Sequence, residues 1–481
     1  MRGLLCTLLL LLWALPAAAA DPPNIIVLVA DDVTACWFGV YTADRVECSE
    51  AYLTPRIDTL AAGGVVVKTA WAMPTCTPYR AAMMTGTFPT ENRVGRTILS
   101  ASGGTGLSAA RPNLARALEA GGYDTYHFGK WHLAGTALGA GQTIHPSSMG
   151  FTAGRGSIGN VGNTTDGAEG GESYTDWQLV DFMAGTTTEE NTYATTFTID
   201  DAILVLNNAE PWFMSIQLNA PHNPQHQPTP GLFDATVDCE EGGAGGDLPE
   251  ICYNRAIQAL DTELGRLLDH GDYDPTDTVI IITSDNGTPL SIAQATQPAW
   301  EDDRCKQTVG ECGLWVPLIV SGAGVGTGTA DILVQATDLH ATILEIAGVE
   351  NIAAGHTTGS LVPSLGGHQI RYRGISFWNN MVDPTLPSKR SCIYAEEFND
   401  SSGVRVDWNE AMRTDTYKLM RHKTLGTEEL FLTATAIRED PAFTPTGDVI
   451  PTPYAGADEI AYDFLTEKMD AMTAAGGDPC R

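Results

Sequence analysis

Four stretches of the chain are apolar and β-branched without a polar residue at every second position: IIVLV at 25–29, WFMSIQL at 212–218, TVIIIT at 278–283 and VPLIV at 316–320. A strand with one face in water alternates, whereas a strand covered on both faces does not. These runs therefore predict interior strands of a mainly parallel sheet. YDTYHF at 123–128 is a further strand candidate. Between the runs lie patterns of helical period at 113–120, 196–207, 253–268 and 338–347. Strands alternating with helices predict an α/β sandwich with helices on both faces. Beyond about residue 348 the pattern weakens, and shorter strand candidates at 391–396 and 417–420 predict a smaller C-terminal α+β domain over 349–481. Gly-rich stretches at 101–106, 150–171 and 240–246 predict loops, and no repeat of fixed period stands out.

The N-terminus changes where this fold is expected to work. Arg2, an apolar run at 8–15, Pro16 and small residues at 17–20 have the layout of a secretory signal peptide over 1–20. No later segment approaches the roughly 20 apolar residues of a membrane span, so a soluble, exported (secreted or periplasmic) product is expected, with no membrane partner. The 481 residues are 43% hydrophobic, as in a globular chain, and carry a formal charge of −32, or −33 once Arg2 leaves with the leader. Such a charge disfavours nucleic acid and anionic membrane surfaces as partners. An anionic substrate would need a local cationic pocket.

Cysteines at 36, 48, 76, 239, 252, 305, 312, 392 and 480 remain after that cleavage, an odd set for an oxidising compartment. The close pairs 36/48, 239/252 and 305/312 invite local bridges, with 392/480 as a long-range possibility. That bookkeeping leaves Cys76 alone, although spacing does not fix connectivity.

Ligands of open α/β sheets bind beyond the carboxyl ends of the strands. In this sequence those ends are polar. The first strand runs into Asp31 and Asp32, the run at 212–218 is followed by Pro221 and His222, the run at 278–283 by Asp285 and Asn286, and 123–128 by Lys130 and His132. Singly, each has an ordinary structural explanation: an Asp pair caps helices, Asn-Gly makes turns, His222 suits a loop, Lys130 and Lys306 suit a solvated surface, and Cys76 suits a disulfide. Their recurrence at successive strand ends argues for a site. Three carboxylates and an amide oxygen suit a hard divalent cation, Ca²⁺ or Mg²⁺ rather than Zn²⁺. The GRGSIG segment at 154–159 fits GxGxxG, but no clear strand precedes it, so dinucleotide binding is not expected.

These residues resemble the type I sulfatases of the alkaline phosphatase superfamily. CTPYR at 76–80 matches the CxPxR core by which a sulfatase cysteine is recognised and oxidised to Cα-formylglycine. The similarity continues in order through 24–32, 54–60, 122–133, 220–224, 283–287 and 306–320. It implies an alkaline-phosphatase-like sandwich, with a catalytic domain over 21–348. It also implies a metal site of Asp31, Asp32, Asp285, Asn286 and modified Cys76, taking calcium, with magnesium the less favoured alternative. Arg80, Lys130, His132, His222 and Lys306 would surround the sulfate, and a formylglycine-generating enzyme would be a partner during maturation. Two departures stand out. Tyr79 occupies the place of the usual serine, and ECGLW at 311–315 replaces a Gly-Gly-Ile-Arg-like run. Ser157 is a loosely aligned candidate for a further serine near the sulfate.

The implied reaction is hydrolysis of a sulfate ester, on a carbohydrate, with a hydrated aldehyde as nucleophile: one hydroxyl attacks sulfur and the other loses its proton to expel sulfate. By the same analogy His222, with Lys306, assists the leaving oxygen and His132 takes the proton of the elimination. Hydrolysis of a phosphomonoester or phosphonate ester, and a catalytically silent glycan-binding protein, are the alternatives. Specificity is expected from loops 136–192 and 223–250 and from the C-terminal domain. Sequons lie at Asn163, Asn286 and Asn399, and Asn286 should stay bare if it binds metal.

Overall fold

The computed structural model describes residues 22–480 except 43–47, 49–52, 99–105, 162–172, 235–238, 240–248, 297–303, 350–360, 363–369, 402–403, 434–455 and 474–478. The leader, the Asn163 sequon and the glycines at 101–105 and 240–246 fall outside the described residues.

Ten strands form one sheet: β1 (Asn24–Ala30), β2 (Val65–Trp71), β3 (Asp124–Gly129), β4 (Ala153–Gly156), β5 (Trp177–Asp181), β6 (Thr187–Glu190), β7 (Trp212–Gln217), β8 (Thr278–Ser284), β9 (Leu318–Gly322) and β10 (Gly328–Gln335). Their order is β10-β2-β9-β8-β1-β7-β3-β4-β5-β6. β1 lies between β7 and β8, parallel to both. Every residue of β1, β7 and β8 is buried, as runs without alternation require. Helices cover the sheet in two sets. Cys76–Thr85, Leu114–Ala120 and Ala336–Ile346 pack together, as do Pro55–Ala62, Ala194–Ile203 and Pro249–Leu268. The amide oxygen of Asn113 caps Leu114–Ala120 by accepting from Arg116 N at 3.2 Å.

One expectation gains a direction and another needs correction. The run at 316–320 becomes β9, which starts at Leu318 and runs antiparallel to both β8 and β2. The Gly-rich stretch at 150–171, expected to be loop throughout, contains β4, paired parallel to β3. Its glycines are there for contact: a Cβ on Gly154 would lie 2.0 Å from the His127 carbonyl oxygen, and one on Gly156 1.9 Å from that of Gly129. Backbone approach this close excludes the β-branched residues by which strands are usually recognised.

Past the short antiparallel pair β11 (Leu361–Val362) and β12 (Ile370–Arg371), a second, antiparallel sheet contains β13 (Ile393–Ser401), β14 (Val404–Arg413), β15 (Tyr417–His422) and β16 (Thr427–Leu432) in chain order. The helix Ala457–Thr473 packs on β14 and β15. Buried ion pairs tie this sheet to the larger one: Arg413 and Lys418 meet Glu311, and Arg390, just before β13, meets Asp338. Disulfides join Cys36–Cys48, Cys239–Cys252, Cys305–Cys312 and Cys392–Cys480, and Cys76 is free. Among the described residues no helix is long and apolar enough to cross a membrane.

Candidate active site

The carboxyl ends of β1, β3, β7 and β8 converge, and Cys76 faces them from the first position of the helix Cys76–Thr85, after Thr75 in extended conformation. Cys76 is 1% exposed, and its Sγ lies 3.3 Å from Nδ1 of His132. Gly86, at φ 63°, ends that helix in the left-handed conformation that glycine adopts without strain.

Three carboxylates gather there, each with a cation. Lys130 Nζ donates to Asp31 Oδ2. Lys306 Nζ lies 2.6 Å from Asp32 Oδ1 and 2.7 Å from its Oδ2. Arg80 grips Asp285 Oδ2 through Nε at 3.1 Å and Nη2 at 2.7 Å. Asn286 Nδ2 donates to Asp32 Oδ1 at 2.7 Å, and His222 Nε2 stands 3.8 Å from Asp32 Oδ2. All the sequence-predicted site residues, Asp31, Asp32, Cys76, Arg80, Lys130, His132, His222, Asp285, Asn286 and Lys306, thus share one connected cluster.

The donor set fits a hard divalent cation. Ligand atoms of Asp31, Cys76 and Asp285 lie within 4.8 Å of one another, as do those of Asp31, Asp32 and His222. Asp31 Oδ1 and Asn286 Oδ1 are buried oxygens without a hydrogen-bond partner among the described residues. Stranded acceptors among buried carboxylates are what a cation would satisfy, and oxygen donors suit calcium. Asn286 is fully buried, so its sequon is closed in the folded protein.

Burial dominates the titration of the polar groups. It raises the Cys76 thiol above its ordinary value, against the nearby Lys130 and Lys306 charges. Burial first, then the positive charges of Lys130 and Arg80, holds His132 well below the usual imidazole value. Burial and then Lys306 do the same to His222. Both rings are neutral at pH 7. For Lys306 burial opposes the charge, but Asp32 outweighs it and the pKa rises. Desolvation, then Asp31, raises Asp285.

Several supports escaped the sequence reading. Gln217, at the end of β7, accepts from Arg80 Nη1 at 2.8 Å, while the Lys130 carbonyl accepts from the same nitrogen at 3.0 Å. A polar residue closing the buried, mostly apolar WFMSIQ run was the available signal. Tyr253 donates its hydroxyl to the carbonyl of Asp32, which is held at φ 74°. Ser157 is directed elsewhere: its hydroxyl donates to the Gly159 carbonyl at 2.8 Å and pairs with Asn219. Tyr79 is buried in the main apolar core. A cleft of about 490 Å³ opens over the cluster, lined by Cys76, Arg96, Asn160, His222, Asn223, Lys306 and Gln307, among others.

The Sulfatase family model matches residues 23–349, about two thirds of the sequence. The chain belongs to the sulfatase family. Human steryl-sulfatase is 40% identical over 133 residues, 26% of this chain and 22% of that one. Human N-acetylgalactosamine-6-sulfatase is 28% identical over 359 residues, 69% of this chain and 63% of that one. The chain thus spans about a fifth of the steryl-sulfatase and under two thirds of the second relative. Among solved structures, Ps i-CgsB in complex with k-i-k-neocarrahexaose superposes with a TM-score of 0.70 at 21% identity, covering 95% of this chain and 94% of that chain. BT4656 in complex with D-glucosamine-2-N,6-O-disulfate gives 0.66 at 18% identity, covering 95% and 99%. At these identities the structural likeness establishes the fold.

Proposed function

We propose that this protein hydrolyses a sulfate ester on a carbohydrate, releasing an alcohol and inorganic sulfate, after Cys76 has been converted to Cα-formylglycine by a formylglycine-generating enzyme. The observation that carries the reading is the position of Cys76: the free cysteine opens a helix, faces neutral His132, and sits beside three carboxylates each partnered by a cation. Sulfated-sugar relatives and neighbours supply the substrate class. Four disulfides and the leader-like N-terminus support an exported enzyme.

Asp31, Asp32, Asp285, Asn286 and modified Cys76 would hold calcium. Bound there, calcium would offset charge on the sulfate oxygens and favour an ionised attacking hydroxyl. The remaining work falls to the chain. Sγ of Cys76 marks where the modified carbon's hydroxyls would lie, within reach of His132 Nδ1, so the neutral imidazole can take the proton that sulfate expulsion releases. Lys130, Lys306 and Arg80 bring positive charge to the sulfate, and helix Cys76–Thr85 directs its N-terminal N–H groups toward the same place. His222 Nδ1 bonds the Asn223 carbonyl at 2.7 Å, fixing the ring at the cleft wall with Nε2 toward the cluster. Lys306, kept protonated by Asp32, supplies a hydrogen-bond donor to the leaving oxygen beside it.

Two measurements test this. Mass spectrometry of the peptide spanning Cys76 should show a loss of about 18 Da relative to cysteine. Sulfate release from sulfated sugars should vanish in Cys76→Ala. An unmodified thiol in active protein rejects the mechanism, and a large preference for phosphate over sulfate esters rejects the substrate.

A further inference from the structure

The cleft over Cys76 is graded in depth. Cys76 and His222 are buried within it, while Arg96 is half-exposed and Gln307 exposed at its mouth. Its two cations differ in what they have to spare. Lys306 is spoken for by Asp32. Among the described residues Arg96 is in no ion pair, and its charge lowers the carboxyl of Glu397 in β13. A half-exposed guanidinium at a cleft mouth, with no described carboxylate clamped to it, can turn its planar fork to a ligand anion.

Gln307 is independently unusual. Its backbone sits at φ 72°, where side chains other than asparagine and glycine are strained, yet the residue is glutamine. Its N–H donates to the Pro74 carbonyl at 2.8 Å, and the Cys305–Cys312 disulfide closes the loop around it. The loop is thus fixed in a conformation that favours glycine, while an amide side chain is presented beside the substrate cleft. The strain points to a use for that side chain.

We propose that Arg96 and Gln307 form a second anion subsite, selecting substrates that carry a further carboxylate or sulfate close to the scissile sulfate. The inference rests on the sulfatase reading and narrows it to polyanionic glycans. It also answers a problem of charge: a chain of net −32 repels such a substrate at long range, so a cation beyond those paired in the catalytic cluster is needed at the entrance. A charge-assisted bond from Arg96 predicts a preference of about 10- to 100-fold for the dianion.

The test uses full-length Cys76→Ala protein in calcium-containing buffer, so that binding is read without turnover. Three probes are titrated calorimetrically: a monosulfated hexosamine, the disulfated hexosamine, and the monosulfated hexosamine linked to a uronic acid. Tighter binding of either dianion, with the preference collapsing toward one in Arg96→Gln, supports the proposal, and the two dianions separate sulfate from carboxylate recognition. Gln307→Gly should keep or raise Tm while reducing the same preference. No preference in the parent, or one that survives Arg96→Gln, overturns the proposal. Equal weakening of all three probes, with a lowered Tm, also overturns it, because Arg96 would then be a structural counter-charge for Glu397. Hydrolysis of an aryl sulfate by the Cys76-intact protein is measured in parallel. Dianion preference without hydrolysis sinks the enzymatic reading alone.

Discussion

Arg80 shows how one side chain fixes the geometry of the cluster. Its guanidinium spans Asp285, the Gln217 amide oxygen and the Lys130 carbonyl, three partners on three strand ends. Lysine keeps the charge but cannot hold all three, so Arg80→Lys should fold, lower Tm by a few degrees, and reduce kcat on an aryl sulfate by about 100-fold, the scale of a 1 Å misplacement. A kcat within threefold of the parent would mean that Arg80 only neutralises charge. The oxygen cluster predicts a second outcome. Chelation should lower Tm and calcium restore it, magnesium less well, with about 2.7 kcal/mol gained at a hundredfold excess over Kd. The loss should stop short of unfolding, because Lys130, Lys306 and Arg80 already neutralise Asp31, Asp32 and Asp285. A Tm indifferent to chelator and calcium would count against the metal site. At this scale the sequence was largely legible: strand ends and the CTPYR motif placed nine residues of the cluster, and the resemblance over 306–320 supplied Lys306. Gln217 and Tyr253 were not, since their partners in the cluster lie more than a hundred positions away; the polar close of a buried run is the one local sign of Gln217, and Tyr253 has none.

Among the elements, β13 carries an electrostatic load that its sequence does not show. Glu397 is 1% exposed, and burial, helped by Asp407, raises its carboxyl to about 7 against the lowering effects of Arg96 and a bond from Asn409. A carboxyl whose folded pKa lies above its unfolded value binds more protons in the native state. Its contribution to stability is therefore fully present below about 4.5 and lost as pH rises toward 7. Glu397→Gln should remove that slope. The difference in unfolding free energy between parent and variant should change by on the order of 3 kcal/mol across this window and be flat above it. Parallel denaturation curves from pH 4.5 to 7.5 would refute the assignment. Elements buried on both faces, such as β1 and β8, could be read from composition alone. β4 could not, because its glycines serve contact with β3 and leave no hydrophobic run, and β9 was found with its direction unspecified, since direction belongs to the partner strands rather than to the run itself.

For the molecule as a whole, Glu311 is where the two sheets are coupled, and it lies in the segment where the sequence departs from the usual family run. The carboxylate is 1% exposed and receives Arg413 of β14, Lys418 of β15 at 3.4 Å, and the Trp71 indole of β2 at 3.2 Å. The same segment carries Cys312, whose bridge to Cys305 holds the loop bearing Lys306 and Gln307. The departure therefore joins the C-terminal sheet to the mouth of the cleft through one short stretch of chain. Truncating Glu311 would remove the buried carboxylate that Arg413 and Lys418 share, a loss of about 3–5 kcal/mol, so Glu311→Ala should lower the unfolding midpoint sharply and speed hydrogen exchange in β14 and β15 before β1 and β8. If the loop is positioned through this pair, Glu311→Gln, which keeps shape and loses charge, should raise KM for a polyanionic substrate more than it lowers kcat. Equal exchange rates in both sheets, with unaltered KM, would show that the C-terminal sheet is held by its apolar contacts and contributes nothing to the entrance.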